Sequence, residues 1–186
     1  MNKNFGPQSW AYPMPVLIIA AYDDEGRVDV MNAAWGSISG GTQISMCLSP
    51  GHKTVKSILT AKAFTVSMGD AAHIVECDYV GIVSGNDVPD KFEKSGFHAT
   101  KSEFVNAPII DQLPMRLECK LTSYDEESHC MIGEIINVSA DERILDGAGN
   151  IDPEKLQPIA YDPINHYYHK LGEKVGNAFE DGNKIK

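Results

Sequence analysis

The densest run of chemically capable residues lies between Val28 and Thr54. Asn32-Ala33-Ala34-Trp35-Gly36 sets small residues beside an amide and an indole. Small side chains let a flat ligand lie against backbone, and an asparagine both donates and accepts hydrogen bonds. Downstream, Ser49-Pro50-Gly51-His52-Lys53-Thr54 puts hydroxyls and cations at the start of a helix-patterned run. A helix start carries unpaired N–H groups and a partial positive charge, which together attract an anion. Hydroxyl and cationic side chains there add charge-assisted hydrogen bonds. Asn32, Ala33, Ala34, Trp35 and Gly36 are therefore candidates for a ring platform. Ser49, His52, Lys53 and Thr54 are candidates for a phosphate. One molecule needs both: a flat ring carrying a phosphate, such as a flavin mononucleotide (FMN). The plainer reading stands beside it. Ser49 or Thr54 is equally a helix cap with Lys53 solvated, and Trp35 taken alone is a core aromatic.

The elements that must position these residues are mostly strands. Val16–Ala21 is a continuous apolar run, ended by Asp23-Asp24-Glu25-Gly26 and followed by Val28–Met31, which is a hairpin pattern. Thr42–Leu48 and Phe64–Met68 alternate as strands. In His52–Lys62, Val55, Ile58 and Leu59 share one face at helical spacing. Gly69-Asp70 predicts a cap for a helix over Ala71–Tyr79, with a loop from Gly81 to Pro89 and a short helix over Asp90–Ser95 stopped by Gly96. Pro108 and Pro114 bound a turn region. Arg116–Tyr124 and Met131–Ala140 form a second hairpin through Asp125–Ser128. Beyond them, the spacing predicts a helix over Ile164–Gly176 and a frayed end at Gly182–Lys186. Strands separated by turns, with few helices, predict a β-barrel with helical additions. No G-x-G-x-x-G follows a strand, so a Rossmann dinucleotide site is not expected.

The 186 residues suit one domain, residues 1–186. With 16 basic and 26 acidic residues the net charge is −10, which opposes nucleic-acid partners and anionic membrane surfaces. The apolar run Val16–Ala21 is too short to span a membrane. None of the 4 cysteines (Cys47, Cys77, Cys119, Cys130) stands in a C-x-x-C pair, so reduced thiols in a cytoplasmic protein are expected. His166 and His169 stand three apart without an evident third ligand, so no metal site is assigned. Asn137-Val138-Ser139 matches a glycosylation acceptor but falls inside a predicted strand.

The order of several pieces resembles the flavoredoxin and flavin reductase-like family. They are Tyr12-Pro13-x-Pro15-Val16, Asn32-x-Ala34-Trp35, Ser49 and Thr54, then Ser84-Gly85 with Asp90-Lys91-Phe92 and Gly96. Ala107-Pro108, Leu117-Glu118-Cys119-Lys120, His129 with Gly133-Glu134-Ile135, and Tyr167-Tyr168-x-x-Leu171-Gly172 continue it. The resemblance implies a mainly β fold, the FMN-binding split barrel, with six antiparallel strands in Greek-key order and a few inserted helices. It also implies a homodimer with FMN near the subunit interface. Members either reduce flavin with NADH or NADPH, by hydride transfer to N5, or act as flavoredoxin-type electron carriers that meet a redox partner protein. By the same resemblance His129 stands on the nicotinamide side as the catalytic candidate, and Lys91 is a flavin or phosphate contact. Read alone, His129 is a surface histidine and Lys91 a solvated helix residue. Members often carry arginine where this chain has His52.

Overall fold

The computed structural model describes residues 1–185. In chain order its strands and helices begin with β1 (Met14–Pro15), β2 (Leu17–Tyr22), β3 (Val28–Ala33), β4 (Gly36–Gly40) and β5 (Gln43–Cys47). Then come α1 (Lys53–Ala61), β6 (Ala63–Met68), α2 (Ile74–Ile82), α3 (Lys91–Lys94), β7 (Ala99–Lys101) and β8 (Pro108–Ile110). The chain continues through β9 (Met115–Tyr124), β10 (Cys130–Ala140), α4 (Pro153–Leu156), β11 (Ile159–Asp162) and β12 (Tyr167–Lys170).

Connectivity forces the main sheet to curl. Its 7 strands run β3-β2-β6-β9-β10-β5-β4, each antiparallel to its neighbour. The two outermost strands, β3 and β4, are consecutive in the chain and separated only by Ala34-Trp35. A flat sheet of this width would hold its edges about 29 Å apart, at roughly 4.8 Å per strand. Three residue steps reach only about 11 Å. The sheet therefore wraps into an open barrel whose edges meet at Ala34-Trp35, where Cys47 N–H donates to the Trp35 carbonyl at 2.8 Å. This is the split barrel that the sequence implied, with β4 joining the expected strands.

Strand β2 explains why its sequence is apolar without alternation. Leu17, Ile19 and Ala21 pack inside the barrel with Phe64, Val66, Leu117 and Met131. Ile18 and Ala20 face outward, against Cys77 and Val80 of α2, Phe97 and Ile159. A strand covered on both faces has no polar side. Helix α1 closes the barrel with Val55 and Ile58, both fully buried. Gly133 admits the ring of Phe64: a Cβ there would fall 2.4 Å from Phe64 Cζ.

Several expected elements differ. The tail helix over Ile164–Gly176 is absent; β11 and β12 form a hairpin there, on a small sheet with β1. The Asp162 carboxylate accepts from Ile164 N (2.9 Å), Asn165 N (3.2 Å) and Asn165 Nδ2 (2.8 Å), which fixes a turn in place of a helix start. Helix α2 begins at Ile74 and runs through Gly81, later than expected. Asp70 instead holds the preceding turn, accepting from Ala72 N and His73 N. Strand β4 is glycine- and serine-rich and exposed, so no apolar pattern marks it. Between Pro108 and Pro114 lies β8, paired with β7. Asp181–Ile185 makes a 3-10 turn, while Lys186 lies outside the described residues.

Candidate functional site

Two adjoining cavities of about 400 and 250 Å³ form one groove on the outer surface of the barrel. They share Met31, Asn32, His52, Gly81 and Ile82. Strand β3 and the Ala34-Trp35 link form one side, the start of α1 a second, and the end of α2 a third. The β11–β12 hairpin stands at the far end.

The smaller cavity is cationic and deep. Helix α1 opens with His52 in extended backbone and no side-chain cap, and its first backbone bond is Lys56 N–H to the His52 carbonyl at 3.3 Å. The N–H groups of Lys53, Thr54 and Val55 are left without an acceptor in the helix. The cavity is lined by Lys53, Thr54, Ser84, Gly85 and Lys91. Asn86 holds the Ser84–Asn86 loop onto α1, donating to the Gly51 carbonyl (3.0 Å) and accepting from Lys56 Nζ (3.2 Å). Lys91 is 4% exposed, and among the described residues no carboxylate lies within ion-pair distance of its ammonium. Burial holds its pKa below the ordinary lysine value; the charge of Asp29 opposes that shift and the charge of Lys53 adds to it.

One carboxylate sits among these cations. Asp29 of β3 is buried and accepts from Thr54 Oγ1 at 2.5 Å. The hydroxyl singled out in the sequence is thus engaged with Asp29, and what Thr54 offers the cavity is its backbone N–H. Gly85 is required beside this pair, since a Cβ there would fall 2.4 Å from Asp29 Oδ1. Lys53 leans the other way, with Nζ 3.3 Å from Asp23 Oδ2.

The larger cavity is aromatic and open. Asn32, Ala33, Ala34 and Trp35 line it, with Cys47, Leu48, Asp78, Tyr161, His166 and Tyr168. Trp35 is 49% exposed and lies 6.5 Å, centroid to centroid, from Tyr161. Tyr161 meets His166 Nδ1 through its hydroxyl at 2.7 Å, and Tyr168 donates to Asp78 Oδ1 at 2.8 Å. Burial, with the Asp78 carboxylate, pushes the Tyr168 phenol above its usual range. Asn32 Nδ2 donates to the Cys77 carbonyl at 3.0 Å, so this amide also pins β3 to α2.

The groove therefore gathers Asn32, Ala33, Ala34, Trp35, His52, Lys53, Thr54 and Lys91. Three other candidates stand outside its lining. Gly36 faces the packed core, where a Cβ would fall 2.8 Å from Leu17 Cδ1. Ser49 is exposed and its carbonyl accepts from His52 N at 3.2 Å, shaping the turn into α1. His129 is half-buried at the end of the β9–β10 hairpin, and its carbonyl accepts from the N–H of Leu48, a lining residue, at 2.9 Å. His166 and His169 turn to different partners: His169 Nε2 lies 3.7 Å from Asp162 Oδ2. Asp29, Asp78, Tyr161, His166 and Tyr168 were not singled out as site residues. Only knowledge of which strand and helix faces meet would have found them.

The fold is thus a curled antiparallel barrel with an outer groove, cationic at one end and aromatic at the other. The flavin reductase-like domain model matches residues 9–167, and the chain belongs to that family. Flavoredoxin of Desulfovibrio vulgaris (Miyazaki F) superposes with a TM-score of 0.93 at 35% identity, covering 98% of this chain and 100% of that one. An FMN-binding domain of a flavin reductases-like enzyme from Shewanella baltica OS155 shares the fold, with a TM-score of 0.79 at 20% identity over 88% of each chain. An uncharacterized protein of Aquifex aeolicus (strain VF5) is 31% identical over 173 residues, 87% of this chain and 86% of that protein. No described helix is long and apolar enough to cross a membrane.

Proposed function

We propose that the groove holds FMN and that the chain is a flavin-dependent oxidoreductase reduced by NADH or NADPH. One observation carries the reading: Lys91, buried and unpaired, lines the same cavity as the uncapped N-terminus of α1. A lysine is desolvated without a partner at a cost that an arriving anion offsets. The donors fit a phosphate: the N–H groups of Lys53, Thr54 and Val55, with the Lys91 ammonium, the nearby charge of Lys53, and His52 at the helix start. Asp29 opposes it, and its charge is partly taken up by the Thr54 hydroxyl. The combined cavity volumes match those of small-ligand sites.

When bound, FMN supplies a two-electron acceptor at N5. The chain's own part is to bind and orient. Backbone along Asn32–Trp35 offers donors to the ring edge, and donors at that edge favour the negative charge of the reduced state. Trp35 and Tyr161 leave the ring approachable, since Trp35 is exposed. His129, next to Leu48, is assigned to holding the nicotinamide donor at near contact.

A second reading has its own support. Likeness to a flavoredoxin over nearly the whole chain, with a net charge of −10, fits an electron carrier that meets a basic protein partner. We assign a homodimer as the working form, because Ile38 and Ile82 leave apolar surface exposed, and a cytoplasmic location. Light scattering at micromolar concentration tests the dimer; a monomer that still binds FMN refutes it.

The test of function is anaerobic. Purified protein loaded with FMN is mixed with NADH or NADPH and its flavin absorbance followed. Bleaching within seconds, slowed in His129→Ala while dithionite still reduces both proteins, supports the reductase. Reduction by dithionite alone leaves the carrier reading. Absence of FMN binding removes both.

A further inference from the structure

Strands β5 and β10 bring two cysteines face to face. Cys47 and Cys130 are direct register partners. Leu48 N–H donates to the His129 carbonyl at 2.9 Å, so the bond joins the residue after one cysteine to the residue before the other. That pattern defines a non-hydrogen-bonded antiparallel pair, whose Cα atoms stand about 4.5 Å apart with side chains on the same face. A disulfide spans Cα separations of roughly 4.4–6.8 Å. Neither residue belongs to the packed core clusters. Cys47 is exposed and Cys130 partly so, and both are free thiols.

We propose that Cys47 and Cys130 are a redox pair that closes reversibly into a cross-strand disulfide in the wall of the groove. Cys47 lines the larger cavity beside Leu48 and Trp35, so the bond forms on the surface a groove ligand meets. The oxidant is a small disulfide of the glutathione class. The Cys47 thiolate attacks one of its sulfurs, and a glutathione thiolate leaves. The Cys130 thiolate then attacks the Cys47 sulfur, forming the Cys47–Cys130 bond and expelling the second glutathione thiolate. Two electrons pass from the cysteine pair to the small disulfide, and the two cysteine protons end on the two released thiols. Cys47 is the attacked and attacking centre because it is the more exposed of the two. Its thiol now lies 3.7 Å from the Ser128 carbonyl, a weak contact that closure replaces. The remaining cysteines provide an internal control. Cys77 and Cys119 are fully buried, and burial pushes each thiol up to about 12, which withholds the reactive thiolate.

The pair does not depend on the flavin reading, and its test needs no cofactor. Folded full-length protein is incubated with oxidised glutathione, quenched by alkylation, digested and analysed by mass spectrometry. The expected product is a peptide linking Cys47 to Cys130, with Cys77 and Cys119 alkylated as free thiols, and the link reverses with dithiothreitol. Cys130→Ser should stop at glutathione on Cys47, since no second thiol is left to displace it. Wild-type protein that retains glutathione on Cys47, joins two chains through Cys47, or remains fully alkylated under excess oxidant overturns the proposal.

Discussion

The two ends of the groove are built in opposite ways. The cationic end draws on three stretches: Asp29 of β3, the start of α1 with three open N–H groups and Lys53, and the loop after α2 that leads to Lys91. Its side chains are buried or pinned, with Thr54 on Asp29 and Asn86 on Gly51. The aromatic end is assembled from residues far apart, Trp35, Asp78, Tyr161 and Tyr168, and Trp35 and His166 are exposed there. Rigid, desolvated charge suits holding one end of a ligand strongly. An open aromatic shelf suits a ring that a second molecule must reach. Under the proposed flavin reading, that difference assigns grip to the buried end and exchange to the open one.

The largest effect should come from removing the grip. Lys91→Met keeps the apolar stem and deletes the charge. Loss of a charge-assisted contact to phosphate costs about 1.5–3 kcal/mol, or about ten- to a hundredfold in Kd. The apo protein should become more stable, because an unpaired buried ammonium is gone. Flavin fluorescence quenching and urea midpoints measure the two. An unchanged Kd would place the phosphate elsewhere and dissolve the contrast between the ends.

The same lysine predicts a pH signature. Its folded pKa is below its unfolded value because burial, with Lys53 nearby, outweighs the pull of Asp29. Between those two values the unfolded chain binds the extra proton, so apo stability rises with pH through that alkaline window. FMN affinity should fall over the same window as the ammonium deprotonates. Lys91→Met should flatten both trends. Affinity that stays level in wild type to the ordinary lysine range, about pH 10.4, counts against Lys91 as the phosphate cation.

Legibility followed locality in the chain and cut across both ends of the groove. The apolar run of β2, the α1 face of Val55 and Ile58, and the β2–β3 and β9–β10 hairpins were readable because their patterns are local. So were Asn32–Trp35 and His52–Thr54, each a contiguous run now lining the groove. Asp29 was hidden because its meaning depends on α1 lying beside β3. Tyr168 was hidden because Ile164–Gly176 reads as helical spacing until the Asp162 turn is seen, and Tyr161 because only its strand pairing with Tyr168 turns it toward the groove. Thr54 was found for its hydroxyl, and tertiary structure has given that hydroxyl to Asp29.

Thr54→Val tests that last point with an effect on folding more than on binding. It leaves the buried Asp29 carboxylate without its hydroxyl donor, a loss of about 1–3 kcal/mol in unfolding free energy. Thr54→Ser should recover most of it. FMN affinity should change less than in Lys91→Met, because the backbone N–H remains. A variant that keeps wild-type stability but loses FMN would return the hydroxyl to the phosphate.

The smallest effect is expected at the open end. Tyr168→Phe deletes the bond to Asp78 Oδ1 and keeps the ring. A typical hydrogen bond contributes about 0.5–1.5 kcal/mol net, and Asp78 is only half-buried, so water replaces the lost donor. Stability should fall within that range. FMN affinity should shift by less than about tenfold, since 1.4 kcal/mol would be needed for that factor. The measurement is the same fluorescence titration used for Lys91→Met, which makes the two numbers directly comparable. If Tyr168→Phe weakens FMN as much as Lys91→Met does, grip is shared along the groove. The aromatic end is then a binding wall, and access for a second reactant must come from elsewhere than the Trp35 side.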